Sequence, residues 1–116
     1  MNNKNIDENS NKQIIILDEN NFDQIISSKK PTLVDFWATW CGPCQFMLPV
    51  FDKLAKKYSH ITFGRLNVDD NQDTSSKFEV YAIPTFILYS EGKILERAVG
   101  AVGEEKLQEM IEKYSS

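Results

Sequence analysis

Cysteine is scarce in this chain: there are two, Cys41 and Cys44, and they stand three positions apart. A small secreted domain held by disulfides spreads its cysteines so that they close long loops. A bond over this short separation restricts the unfolded chain little, so it adds little stability. Histidine is scarcer still, with His60 alone. A zinc knuckle needs about four ligands, which two cysteines and one histidine do not supply without a second chain. Basic runs are missing: Lys and Arg number 13 against 17 Asp and Glu, a net charge of −4. That balance argues against a nucleic-acid surface and reads as mild acidity for solubility.

Long apolar stretches are also absent. The longest purely aliphatic run, Ile14 to Leu17, is far short of the ~20 residues that span a bilayer. The opening MNNKNIDENSNKQ is polar and of mixed charge, without the apolar stretch of roughly 7–15 residues that a secretory signal requires. Residues 1–12 are therefore expected to form a disordered polar tail, and residues 13–116 one domain. The two isolated cysteines and the missing leader favour a reducing cytoplasm, and no membrane contact is expected. Nothing demands more than a monomer.

What is present has regular periodicity. Gln13–Leu17 reads as a strand, and Phe22, Ile25 and Ile26 repeat at helical spacing within Asn21–Ser28. Thr32–Ala38 (TLVDFWA) is nearly all apolar, as in a strand covered on both faces. Met47, Val50, Phe51, Leu54 and Tyr58 form one stripe of a long helix over Cys41–Tyr58, with a kink expected at Pro49. Ile61–Val68 is a third strand, ending in Asp69-Asp70-Asn71, which can cap a helix over Asp73–Glu79. Pro84–Tyr89 and Ile94–Val99 pair as a hairpin around Ser90-Glu91-Gly92-Lys93. Leu107, Met110, Ile111 and Tyr114 give a closing helix one apolar face. The order β-α-β-α-β-α-β-β-α defines an α/β fold, a central mixed five-stranded sheet flanked by four helices on both faces.

Cys41-Gly42-Pro43-Cys44 falls where the second strand gives way to the long helix. Unpaired N–H groups and the partial positive charge of a helix N-terminus stabilise a thiolate, the species that attacks a disulfide. Cys41 is expected at the exposed helix entrance. Cys44, one turn later, is expected beneath it, close enough to form the bond. Gly42 permits close approach, and Pro43 suits the first helical turn, where its missing N–H costs little. A cysteine pair of this spacing beside a β-α-β pattern reads as redox-active. Asp35 is a charged residue in the most buried-looking strand, and burial without a partner raises its pKa.

Trp40-Cys41-Gly42-Pro43-Cys44, preceded by Val34-Asp35-Phe36-Trp37-Ala38, resembles the active-site segment of the thioredoxin family. Ile83-Pro84-Thr85 resembles that family's cis-proline loop, and Val99-Gly100-Ala101 its last substrate-groove segment. The resemblance runs from about Gln13 to the C-terminus. It implies a thioredoxin fold and a protein-disulfide reductase that binds no cofactor. Cys41 would attack, Cys44 would resolve the mixed disulfide, and Asp35 would exchange a proton with Cys44. It further implies a cis bond at Pro84 and a shallow groove formed by Trp40, Ile83, Gly100 and Ala101. Disulfide-containing proteins would be the substrates, and a flavin-dependent, NADPH-using thioredoxin reductase the electron source. Two positions depart from the pattern: Gln45 replaces a common Lys after the second cysteine, and Arg65 replaces a Lys near the buried Asp. Arg keeps the charge and loses the ability to titrate. A disulfide oxidant or isomerase on the same fold, or a binding subunit with incidental thiols, are the alternatives. The Gly42-Pro43 pair resembles the reducing members.

Overall fold

The segment Thr32–Trp37 becomes the central strand of a five-stranded sheet in a computed structural model that describes residues 13–115. The elements run β1 (Ile14–Leu17), α1 (Phe22–Ile26), β2 (Thr32–Trp37), α2 (Gly42–Lys57), β3 (Thr62–Asn67), α3 (Gln72–Lys77), β4 (Thr85–Ser90), β5 (Lys93–Val99) and α4 (Glu104–Lys113). Element order and type are those the periodicities predict. The tail expected over residues 1–12 lies outside the described residues.

The sheet order is β1-β3-β2-β4-β5. β1 and β2 run parallel to β3, β4 runs antiparallel to β2, and β5 antiparallel to β4. Parallel neighbours need a crossover to bring the chain back to the starting end, and α1 and α2 supply it.

Strand alternation divides the core between two faces. Leu33, Phe63, Phe86 and Leu88 pack against Met47, Phe51 and Leu54 of α2 and Leu107, Met110 and Ile111 of α4. Val34, Phe36, Ile87 and Tyr89 pack against Phe22 and Ile26 of α1 on the other side. Asp35 shares the face of Leu33, beneath α2. The spacing of Met47, Phe51, Leu54 and Ala55 buries one stripe of that helix, and each large side chain there contributes about 1.5–3 kcal/mol of apolar burial. Phe51 meets Phe63 edge-on with ring centroids 5.3 Å apart, and Phe86 at 6.0 Å. This packing fixes where the first turn of α2 lies relative to the end of β2. Pro49 stands on the exposed side of α2, which runs on through it.

Three local features differ from expectation. Ile16, within the apolar run of β1, is 72% exposed, because β1 is an edge strand and no described residue covers that position. The hairpin turn is only Glu91-Gly92, both with positive φ (54° and 80°), the two-residue type I′ geometry that matches strand twist. Asn71 does not cap α3 with its side chain. Glu19 does so from the β1–α1 loop, where its Oε2 accepts from the backbone N–H groups of Asp73 and Thr74. Asn71 instead braces that loop, accepting from the Glu19 backbone N–H and donating to the Asn67 carbonyl.

Candidate active site

Cys41 is the N-cap of α2, in extended backbone conformation, and its sulfur accepts the Cys44 backbone N–H at 3.2 Å. A helix beginning at Gly42-Pro43 leaves its first amide donors unpaired, and here one of them is aimed at sulfur rather than at a Ser or Asp oxygen. The two cysteines are joined in a disulfide, with Cα atoms 5.2 Å apart. Across the site, Cys41 Sγ lies 3.8 Å from the carbonyl oxygen of Ile83. In the disulfide this is a contact without a proton; in the reduced thiol the same oxygen is placed to accept one.

The expectation of an exposed Cys41 is corrected. Cys41 is 5% exposed and Cys44 1%. The first cysteine remains the outer of the two, but the pair is packed in a small apolar cluster with Ala38, against Trp37, Val68 and Ile83. Its chain neighbours Trp40, Gly42 and Pro43 are exposed, so the site opens at the surface beside the sulfur.

The predicted groove residues come from three separate stretches of chain. Trp40 is 70% exposed. Ile83 is half-buried against the cysteine pair. The Ile83–Pro84 peptide is cis and Pro84 is buried. The Pro84 carbonyl accepts the Gly100 backbone N–H at 2.7 Å, which ties the proline loop to Gly100-Ala101. Gly100 has φ 97°, a left-handed conformation that a side chain would strain. Ala101 is exposed. Thr85 supports the loop from below, its hydroxyl donating to the Ala82 carbonyl at 2.6 Å.

Asp35 is 1% exposed and lies opposite Arg65 in the β2–β3 register. Arg65 Nε donates to its Oδ2 at 3.5 Å, while Oδ1 has no hydrogen-bond partner among the described residues. Burial away from water pushes the carboxyl up to about 7 from 3.8, although Arg65 opposes that rise by charge and by its hydrogen bond. Desolvation outweighs the long, single contact. The partner that sequence periodicity did not supply is therefore present, and the rise survives it.

Three contributors to the site were not legible beforehand. Trp40 Nε1 donates to Asp69 Oδ2 at 2.8 Å, which fixes the exposed indole; Asp69 reads in the sequence only as part of a polar cap. Gln45 Nε2 donates to the Thr39 carbonyl at 3.0 Å and braces the loop before the cysteines. Asp52 accepts from Arg65 Nη2 at 3.3 Å. No local signal marks any of these pairings, because each joins residues from different turns or strands. Among the described residues, no group of His, Cys, Asp and Glu is arranged to hold a metal ion.

A cysteine pair capping a helix and facing a cis-proline loop defines a thiol–disulfide oxidoreductase. Comparison with known proteins gives the family. The thioredoxin family profile matches residues 13–113. A thioredoxin from Alicyclobacillus acidocaldarius is 43% identical over 93 residues, covering 79% of this chain and 89% of its own length. The bifunctional thioredoxin reductase/thioredoxin of Mycobacterium leprae is 42% identical over 100 residues, 85% of this chain and 22% of that longer protein. The solved structure of the N21Q mutant thioredoxin from Halobacterium salinarum NRC-1 superposes with a TM-score of 0.83 at 33% identity, covering 89% of this chain and 91% of that one. The chain belongs to the thioredoxin family, whose members reduce protein disulfides with their own cysteine pair and no bound cofactor.

Proposed function

We propose that Cys41 is the attacking thiol and Cys44 the resolving thiol of this disulfide reductase. In the reduced protein, the Cys41 thiolate attacks a substrate disulfide and a mixed disulfide forms, with one substrate sulfur leaving as thiolate. Cys44, deprotonated, then attacks Cys41 sulfur; the second substrate thiol departs and the Cys41–Cys44 bond closes. The substrate is reduced by two electrons and the cysteine pair is oxidised by the same two. The observation that carries the assignment is the Cys44 N–H directed at Cys41 sulfur at 3.2 Å. That donor and the helix terminus both favour negative charge on sulfur 41 and leave sulfur 44 buried beneath it.

Asp35, poised near neutrality, exchanges a proton with Cys44 as the latter becomes nucleophilic. Trp40, Ile83, Gly100 and Ala101 form the shallow groove, in which an extended substrate segment pairs with backbone at Ile83. Gly42, Pro43, Pro84 and Arg65 support that geometry. A separate flavin- and NADPH-dependent reductase regenerates the dithiol, a donor consistent with the two activities named together in the Mycobacterium leprae relative. The protein acts as a monomeric domain in the cytoplasm, in electron transport and redox homeostasis.

The Cys44→Ser variant tests the order of attack. Incubated with a disulfide-containing protein such as insulin, it accumulates a covalent complex through Cys41, seen on non-reducing gels and released by dithiothreitol. Accumulation with Cys41→Ser in place of Cys44→Ser would reverse the assignment.

A further inference from the structure

Arg65 touches two carboxylates with the two nitrogens it would normally use on one. Nε and Nη2 lie on the same edge of a guanidinium and form the side-on fork that grips a carboxylate bidentately. Here the fork is split. Nε goes to Asp35 Oδ2 at 3.5 Å, and Nη2 goes to Asp52 Oδ1 at 3.3 Å. The oxygen that a complete fork would occupy, Asp35 Oδ1, is the one left without a partner among the described residues. A buried carboxylate oxygen without a donor is costly, so its survival beside a guanidinium that could serve it needs a cause, and Asp52 supplies one.

We infer that Asp52 is a positioning residue for the buried acid: by holding Nη2 of Arg65, it keeps the guanidinium from closing on Asp35 and leaves Oδ1 open to carry a proton. Asp52 is on the third turn of α2 and its side chain is 54% exposed, against 14% for Arg65 and 1% for Asp35. The three groups thus form a line from solvent to core. Arg65 also stacks over the Phe51 ring at 5.3 Å, which confines its plane but leaves the fork free to shift along it. It lines a cleft of about 420 Å³ with Asp52, Ile16 and Lys56, so the guanidinium has room to move once the tether is gone. The charged groups acting on Asp35 are Arg65 from β3 and Asp52 from α2. Asp52 opposes ionisation of Asp35 twice, through its own negative charge and by withholding a hydrogen-bond donor.

The consequence builds on the proposed proton exchange between Asp35 and Cys44. With the fork split, Asp35 can accept and release a proton near neutral pH; with the fork closed, its titration moves to lower pH and a smaller share of it carries a proton at neutrality. The usual lysine at position 65 has no fork to split, so an exposed acid at position 52 acquires this role through the arginine.

The test is the Asp35 side-chain titration followed by carbon NMR in the oxidised protein, compared between the parent chain and Asp52→Ala. The Asp35 midpoint is expected to fall by about one pH unit, because a carboxylate gaining a second charge-assisted hydrogen bond is shifted by that order. In an Arg65→Lys background the same Asp52→Ala change is expected to move the midpoint by less than half as much. A midpoint that stays or rises on removing Asp52 overturns the inference. So does an equal fall in both backgrounds, which would mean simple charge repulsion without the fork. The pH profile of single-turnover insulin reduction separates this inference from the one beneath it. If the Asp35 midpoint falls and the profile follows, both stand; if the midpoint falls and the profile does not move, Asp52 positions Asp35 as inferred and the proton role of Asp35 is what fails.

Discussion

Replacing Asp35 by Asn should stabilise the oxidised protein, and by an amount that grows with pH. The carboxyl titrates at about 7 in the folded chain and near 3.8 when free. Between those values the folded state holds a proton that the unfolded state has released, so stability falls as pH rises through the window. The difference of roughly three pKa units corresponds to about 4 kcal/mol. The protonated acid's advantage is whole below 3.8, drains across the interval, and is gone above about 7. Asn has the same shape, cannot ionise, and still offers Arg65 an acceptor. Urea unfolding of both oxidised proteins at several values from pH 4 to pH 8.5 provides the assay. The gap in unfolding free energy, variant minus parent, is expected to widen by about 4 kcal/mol and then level off. At an m-value of about 1.3 kcal/mol/M, that is a relative displacement in midpoint of about 3 M urea. A gap constant across the range would refute the reasoning, since it would place the folded-state titration of Asp35 at its free value. The proposed proton exchange with Cys44 accounts for a destabilising acid at this position by function rather than stability.

Two further expectations concern stability alone. Tyr89 is fully buried in the α1-side core and its hydroxyl has no hydrogen-bond partner among the described residues; Tyr89→Phe removes an unsatisfied group and should stabilise by up to about 1 kcal/mol in urea unfolding. A loss instead would reveal a partner for that hydroxyl. At the hairpin, Glu91 holds φ 54° beside Gly92, and Asn-Gly is the favoured pair for such a turn, so Glu91→Asn should raise stability by about 0.5–1 kcal/mol. A drop in thermal midpoint would mean that the Glu91 side chain makes a contact outweighing its backbone cost.

The departure at position 65 links these points. An arginine whose fork is shared between core and surface opposes the desolvation of Asp35 only weakly, which is why burial still carries the carboxyl to about 7. The position of Gln45 is simpler: it contributes no charge next to the cysteines and instead secures the Thr39 carbonyl.

What this chain's sequence determines by itself is what depends on neighbours within about four residues. The apolar run of β2 specified a strand buried on both faces, and the stripe Met47-Phe51-Leu54 specified the helix that covers it. Placing Cys41 just before Gly42-Pro43 made it the cap of α2, because Pro is tolerated in the first turn and the unpaired donors lie there. Sheet register decided the rest. The contact of Cys41 with Ile83 spans 42 residues, that of Asp35 with Arg65 spans 30, and that of Trp40 with Asp69 spans 29. Local periodicity could not state that Cys41 would be almost covered, that Ile16 would stand in solvent, or that Arg65 would divide its fork. Each depends on which strand lies alongside which, and at what offset. Side-chain period is two, so a slip of one residue between β2 and β3 would carry Arg65 to the opposite face from Asp35 and dissolve the arrangement.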